Sequence, residues 1–332
     1  MESRLERKKR RKKKKRRFKK FLLFLILILL IGGGVYFLNA YNAIKATAEK
    51  MHLNLPGKRT DISNGNKPIN ILLLGVDERP HDVGRSDTII VATLNPKDHS
   101  MLMTSIPRDS RTEVEGHGLT KINAAYAYGG LPLAKSTVEH FLNIKIDYVA
   151  KINMQGLVDL VDAVGGITVD NPIDWYDKGF YKKGYHYRKG EIELNGPKAI
   201  GYVRMRHQDP RGDIGRNYRE RQVIQGIIDK GKSVTSVTHM QSILKALGDN
   251  IKTNLTFDDM KSIAFNYRTV REHIYNYQVQ GDPQMIDGGS YIVVSEEEKQ
   301  KVHNMIQDEL NGTLDMSKYQ NDGDNNNTGA SQ

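Results

Sequence analysis

The chain contains no cysteine in 332 residues. It can therefore form no disulfide, carries no thiol nucleophile and offers no thiolate to a metal, so any part of it outside the cytosol must be held together by its core. Several enzyme signatures are missing as well. Residues 116–121 (GHGLTK) lack the spacing of a Walker phosphate loop, and G-x-G-x-x-G, H-E-x-x-H and G-x-S-x-G do not occur. The ten histidines show no zinc spacing, and there is no internal repeat. Basic excess is also absent from most of the chain. The net charge is +11, but residues 1–20 hold fourteen Lys/Arg against Glu2 and Glu6, a local +12 that leaves −1 for residues 21–332. A body so near neutrality has no electrostatic footprint for nucleic acid.

What the sequence does have begins at residue 21. Residues 21–38 (FLLFLILILLIGGGVYFL) are 18 residues without a charge, a helix of roughly 27 Å and close to the hydrocarbon thickness of a bilayer. A cleaved signal peptide is the rival reading. Its apolar stretch is usually about 7–15 residues and ends at a small-residue site; this one is longer, and residues 39–43 (NAYNA) make a weak site. An uncleaved signal-anchor is favoured, with the basic tail cytosolic and the bulk exported. The tail can also meet anionic lipid headgroups.

The rest divides into a stalk (39–67), a folded domain (68–312) and an Asn/Gly/Asp/Ser-rich tail (313–332) too polar to fold. Residues 69–76 (INILLLGV), 88–94 and 101–106 read as strands buried on both faces. Helical patterns cover 134–142, 154–164, 219–228, 236–247, 257–268 and 296–310, with further strands at 167–169 and 291–294. Alternating strands and helices predict an α/β domain, an αβα sandwich about a central sheet.

Arginine and aspartate gather in three places, each at an expected element end. The first is Asp77 and Arg79, then Arg85 and Asp87. If the two strands pair, their loop brings the carboxylates together with Arg85 beside them. Two such oxygen donors at a sheet end suit Mg²⁺ (or Mn²⁺), which completes its shell with water and phosphate oxygens. An ordinary loop salt bridge is the plainer alternative. The second is SIPRDSR (105–111), with Arg108 and Asp109. The third, residues 202–221, holds six arginines at 204, 206, 211, 216, 219 and 221. Arg204 and Arg206 alternate as on one face of a strand; Arg216 and Arg219 lie three apart at a helix start. Basic residues there oppose the macrodipole by roughly 0.3–1 kcal/mol each, which makes sense if an anion is gripped by guanidinium forks. A solvated face of Asp–Arg pairs is the alternative. His207 reads as a local hydrogen-bonding residue, and Tyr126 and Tyr128 either line a cleft or pack.

The ordered set LLLGVDER…RSDTII, SIPRD, KINAAYAYGG, VDAVGGITVD and LNGPKAIGYVRMRHQDPRGDIGRNYRERQ resembles the LytR-CpsA-Psr family over residues 68–312, most of all its members that attach teichoic acid to peptidoglycan. The resemblance implies a mixed-sheet αβα fold enclosing an apolar channel for a polyprenyl tail. It implies a phosphotransferase, assisted by Mg²⁺, that moves a glycopolymer from a polyprenyl-pyrophosphate carrier to a peptidoglycan hydroxyl. Asp77 and Asp87 match the metal-linked aspartates, with Asp77 also a candidate base. Arg85, Arg108, Arg204, Arg206 and Arg216 match the pyrophosphate-binding arginines, which Arg79 and Arg219 extend. One position departs: Glu220 stands where members often carry Gln, and a carboxylate there repels phosphate unless paired. Three rival functions stay open at this point, a non-catalytic lipid-pyrophosphate binder, a pyrophosphatase and a membrane-bound transcriptional regulator. The last would need its DNA contacts in the cytosol, where only residues 1–20 are expected.

Overall fold

A computed structural model describes residues 39, 41–57, 59–78, 82–231, 243–244 and 247–319. The span expected at 21–38, Arg79 and most of the helix expected at 236–247 lie outside these residues. Among the described residues no helix is long and apolar enough to cross a membrane. The chain divides into two units, Met1–Ala46 and Thr47–Gln332, and the second holds the strands.

The strands are, in chain order, β1 (Ile69–Val76), β2 (Ser86–Asn95), β3 (Ser100–Ser105), β4 (Arg111–Val114), β5 (Gly118–Lys121), β6 (Tyr148–Asn153) and β7 (Ile167–Asn171). There follow β8 (Trp175–Tyr176), β9 (His186–Tyr187), β10 (Gly190–Leu194), β11 (Ile251–Thr253), β12 (His273–Gln278), β13 (Asp282–Ile286) and β14 (Gly289–Val293). The helices are α1 (Ala124–Leu142), α2 (Met154–Ala163), α3 (Gly196–Arg204), α4 (Asp213–Gly231), α5 (Phe257–Asn266) and α6 (Glu296–Asn311).

Six strands form the central sheet in the order β11-β6-β1-β2-β3-β12. It is mixed: β1–β2, β2–β3 and β6–β11 are antiparallel, β1–β6 and β3–β12 parallel. Side chains alternate across it, as strand geometry requires. Leu72, Leu74 and Val76 pack with Val138 and Phe141 of α1 and Met305 and Ile306 of α6. Ile69, Ile71 and Leu73 face the other way, with Ile224 and Ile228 of α4 and Ile263 of α5. Helices thus cover both faces of a mixed sheet, as the sequence predicts. A further core joins α2, α3, α4, β7 and β10 around Trp175, Tyr187 and Tyr202.

Several boundaries differ from expectation, each for a local reason. The span called α1 is two helical stretches about a kink: Gly129 and Gly130 leave helical geometry just before Pro132, so the second stretch contains the expected 134–142 and the first, from Ala124, adds to it. Residues 59–67 belong to the folded domain rather than a stalk: Ile62 is buried, and Thr60 donates a hydrogen bond to Asp147 at 2.5 Å. Past residue 312, Leu314, Met316 and Tyr319 still pack on the core, so only 320–332 of the expected disordered tail lie outside the described residues. Arg204 and Arg206 do not lie on a strand. Asn195 caps α3 by accepting from the Lys198 N–H, Pro197 sits in its first turn, and Arg204 is its last residue. Arg206 follows in the turn before α4.

Candidate active site

The ends of β1 and β3 and the start of β2, which the sequence marked with aspartate or arginine, lie at one end of the central sheet. The antiparallel register sets Gly75 opposite Thr88 and Val76 opposite Ser86, so Asp87 is the extra residue of a bulge in β2 and Asp77 follows the end of β1 beside it. The loop between them closes tightly: the Asp77 N–H donates to the Arg85 carbonyl at 3.4 Å. Gly84, with φ +72°, lies where a Cβ would strike the Asp77 carbonyl, so only glycine fits. Arg108 follows β3 and is held by its own carbonyl, which accepts the Asn123 N–H at 3.2 Å. Its Nη1 lies 3.0 Å from Asp87 Oδ1. Burial works against the charge of Arg108, but Asp87, Asp213 and Asp109 outweigh it and raise its pKa.

The third cluster closes the ring. Arg204 Nη2 is 3.7 Å from Asp77 Oδ2, and its guanidinium lies 4.9 Å from the Phe180 ring centroid. Asp213 sits between two arginines, 3.0 Å from Arg206 Nε and 3.2 Å from Arg216 Nη2. The Nε groups of Arg108 and Arg216 are both buried and make no hydrogen bond, their carboxylate neighbours Asp109 and Glu220 standing off at 3.8 and 3.7 Å. Unsatisfied buried donors on guanidinium groups are costly unless an anion meets them.

Two spaces meet at this ring. One is an apolar cavity of about 410 Å³ whose walls include Leu73, Leu157, Leu160, Val223, Ile227 and Ile251. The other is a polar vestibule of about 650 Å³ lined by Arg85, Asp109, Lys121 and Arg206. Asp77, Asp87 and Arg108 border both. A greasy chamber thus ends in a rim of interleaved arginines and aspartates, the shape of a site for an amphiphile with a charged head.

Arg219 does not reach the ring. It is fully buried and donates to the Tyr202 carbonyl at 3.1 Å, to Asp209 at 2.5 Å and to the Met205 carbonyl. Asp209 in turn crowds Gly215, where no Cβ fits. Arg219 therefore staples α4 to the end of α3. The helix starts at Asp213, so only Arg216 lies in its first turn. Arg221 is likewise structural, donating to Ser105 at 2.7 Å and Gln278 at 3.2 Å; burial lowers its pKa to about 10, against the pull of Glu220.

Glu220 lines the apolar cavity. Burial raises its pKa to about 7; Arg216 and a hydrogen bond from Thr88 pull it down, and Asp87 adds to the rise. The carboxylate expected to repel phosphate unless paired thus stands 3.7 Å from Arg216 Nε, in a place where burial disfavours its charge. The sequence reading missed a three-residue clamp behind Asp77. Lys151 Nζ donates to both Glu78 oxygens at 2.7 and 2.6 Å, and the Tyr126 hydroxyl donates to Glu78 at 2.6 Å. Burial first, then Glu78, raises the Tyr126 pKa. The available signal was a lysine inside the apolar run YVAKI (148–152). Of the two tyrosines left open, Tyr126 packs beside the site and Tyr128 is exposed, stacked on His117.

The LytR_cpsA_psr family model matches residues 34–308. The chain is 44% identical over 289 residues to the polyisoprenyl-teichoic acid–peptidoglycan teichoic acid transferase TagU of Bacillus anthracis, covering 85% of this chain and 94% of that protein. Among solved structures, B. subtilis TagU aligns with TM-score 0.60 and 40% identity, over 74% of this chain and 97% of that one. A structure of TagT bound to LIIa-WTA aligns with TM-score 0.68 and 31% identity, over 78% and 100%.

Proposed function

The chain belongs to the LytR-CpsA-Psr family, and on that footing we propose that it transfers an anionic glycopolymer, wall teichoic acid, from a polyprenyl-pyrophosphate carrier to a peptidoglycan muramic-acid hydroxyl. One observation carries this reading: the apolar cavity opens through Asp77, Asp87 and Arg108 onto a charged vestibule that holds Arg85, Arg206 and Lys121 among aspartates. A polyprenyl-pyrophosphate is an apolar chain with a doubly charged head, and it matches both halves. The names of the relatives supply the polymer and the acceptor.

In this reading the isoprenoid enters the apolar cavity and the pyrophosphate lies at its mouth. Arg108 and Arg216 turn their unsatisfied Nε donors to phosphate oxygens, and Arg85, Arg204 and Arg206 complete the grip. Catalysis is then positioning and charge stabilisation. The acceptor hydroxyl oxygen attacks the sugar-proximal phosphorus and forms the new P–O bond. The bridging P–O bond breaks, and its electron pair leaves with the lipid phosphate. The hydroxyl proton goes to a carboxylate, for which Asp77 is the candidate provided the metal leaves one of its oxygens free. Asp77 and Asp87 would hold Mg²⁺ or Mn²⁺, which would neutralise pyrophosphate charge. The donor set fits: Asp77 and Asp87 border the same two spaces, and Mg²⁺ typically takes one or two carboxylates with substrate oxygens. Residues 21–38 would anchor the domain on the outer membrane surface, where the carrier presents its head.

The test is transfer of labelled polymer from lipid-linked donor to peptidoglycan in vitro. Loss of one charge-stabilising donor typically costs about 10²-fold in rate, so Arg108→Ala should fall by that order. Full activity in both Arg108→Ala and Asp87→Ala would sink the site. Release of lipid phosphate without acceptor would mark a pyrophosphatase.

A further inference from the structure

The two-stranded ribbon of β8 and β9 has two unlike faces. Trp175 pairs with Tyr187 and Tyr176 with His186 in its register. Trp175 and Tyr187 stack inward at 4.0 Å and are buried. Tyr176 and His186 stack outward at 4.5 Å, with Tyr176 58% exposed. The inward pair already anchors the ribbon, so the outward pair is not needed to hold it. The outer rings are nevertheless fixed, since His186 Nε2 lies 3.0 Å from Asp174 Oδ1. The connecting loop is rigid too: the buried Asp177 carboxylate accepts the N–H groups of Gly179, Phe180, Tyr181 and Lys182. Around this platform stand five exposed cations, Lys178, Lys182, Lys183, Arg188 and Lys189. They sit in a chain whose residues 21–332 sum to −1.

The ribbon is continuous with the mouth of the site. Phe180, in its loop, lines the apolar cavity and covers the Arg204 guanidinium at 4.9 Å. The Gln208 side chain donates to the Tyr176 carbonyl at 2.8 Å, tying the ribbon to the turn that carries Arg206.

We propose that this ribbon is a subsite for the polymer arm of the donor, a chain of sugar or polyol units joined by phosphodiesters. A unit of the polymer beyond the first two sugars lies on the Tyr176–His186 platform, and successive phosphates meet Lys182 and Lys183. The amphipathic rings give contact area at low entropic cost, and the lysines complement a repeating negative charge. The donor is favoured over the acceptor because the ribbon borders the rim that grips the donor's pyrophosphate, where the polymer arm must emerge. This inference rests on the donor reading given above.

The experiment uses the full chain in detergent with two polyprenyl-pyrophosphate donors, one bearing a single disaccharide and one a long phosphodiester polymer. Tyr176→Ala and the double variant Lys182→Ser/Lys183→Ser are compared with wild type. KM for the long donor should rise roughly tenfold, the equivalent of about 1.4 kcal/mol, with kcat and the disaccharide donor unchanged. An equal effect on both donors, no effect, or a change confined to the KM for peptidoglycan overturns the proposal. Calorimetry with a soluble poly(glycerol phosphate) chain reads the subsite without turnover. Binding by wild type that the variants lose supports it, and equal or absent binding overturns it. If wild type binds that chain yet transfers nothing, the donor reading has failed separately from the subsite.

Discussion

Arg219 and Arg216 lie one helical turn apart, and exchanging their roles would show the structural account to be wrong. Arg219 is fully buried, with its charge shared among Asp209 and the carbonyls of Tyr202 and Met205. Burial lowers its pKa, and Asp209 is the partner that opposes this. Asp209→Asn keeps the shape but leaves a buried guanidinium without its counter-charge, which typically costs about 3–5 kcal/mol. For a domain of this size each kcal/mol moves Tm by about 2–4 °C, so a fall on the order of 10 °C is expected. Arg219→Met should also destabilise, by less, because Asp209 keeps the Arg211 side chain, whose Nη2 lies 3.1 Å away. Thermal melts of the purified full-length chain give the Tm values, and transfer rates at 20 °C are scaled to the folded fraction. The expected pattern is low stability with near-normal turnover per folded molecule. A variant Arg219→Met as stable as wild type but inactive in transfer would refute the assignment and put Arg219 back among the substrate-binding arginines.

Glu309 offers a pH test away from the site. Burial raises its pKa from 4.5 to about 7, against the hydrogen bond from Ser100 and helped by Asp98. The folded chain thus keeps a proton that the unfolded chain has lost between those values, so stability falls as pH rises from 4.5 to 7, by up to about 3 kcal/mol. Urea midpoints for Glu309→Gln should flatten across that window, and an unchanged slope relative to wild type would count against it. Leu160→Trp narrows the apolar cavity; transfer from a long-chain carrier should weaken while a short water-soluble pyrophosphate donor is used as before. If both donors suffer alike, the cavity is not the tail's seat. Chelation should abolish transfer and Mg²⁺ or Mn²⁺ restore it, with Asp87→Asn needing roughly tenfold more metal or above. Activity indifferent to chelator removes the two aspartates from that role.

The parts of the fold written in apolar runs were legible. Residues 69–76, 88–94 and 101–106 are strands covered by helices on both faces, so little alternation was needed to find them. The β12 strand HIYNYQ was not, because it lies at the sheet edge and is mostly half-buried. At the site, Asp77, Asp87 and Arg108 declared themselves by standing at strand ends. Arg204 and Arg206 misled because a two-residue alternation is too short to separate a strand from a helix end followed by a turn. Arg216 and Arg219 are chemically identical, and only the seating of α4 decides which enters the cavity and which meets Asp209. Glu78 and Lys151 meet because the parallel register sets Leu74 against Lys151, a long-range pairing with no local trace.

The sheet order also bears on when the site comes into being during synthesis. Its two parallel pairings join Leu74 to Lys151 and Leu102 to Tyr275, contacts that close late because they link distant segments. A polypeptide ended by a premature stop near residue 250 lacks β11 and β12, both edges of the sheet, and with β12 the Gln278 that receives Arg221 from α4. Helix α4 keeps the face around Ile69 and Ile71 and the Ser105 hydroxyl, but Arg221 loses one of its two acceptors and the apolar cavity loses Ile251 from its wall. The site is therefore finished only late in synthesis, since Ile251 of its cavity wall and Gln278 behind α4 are among the last parts to be made.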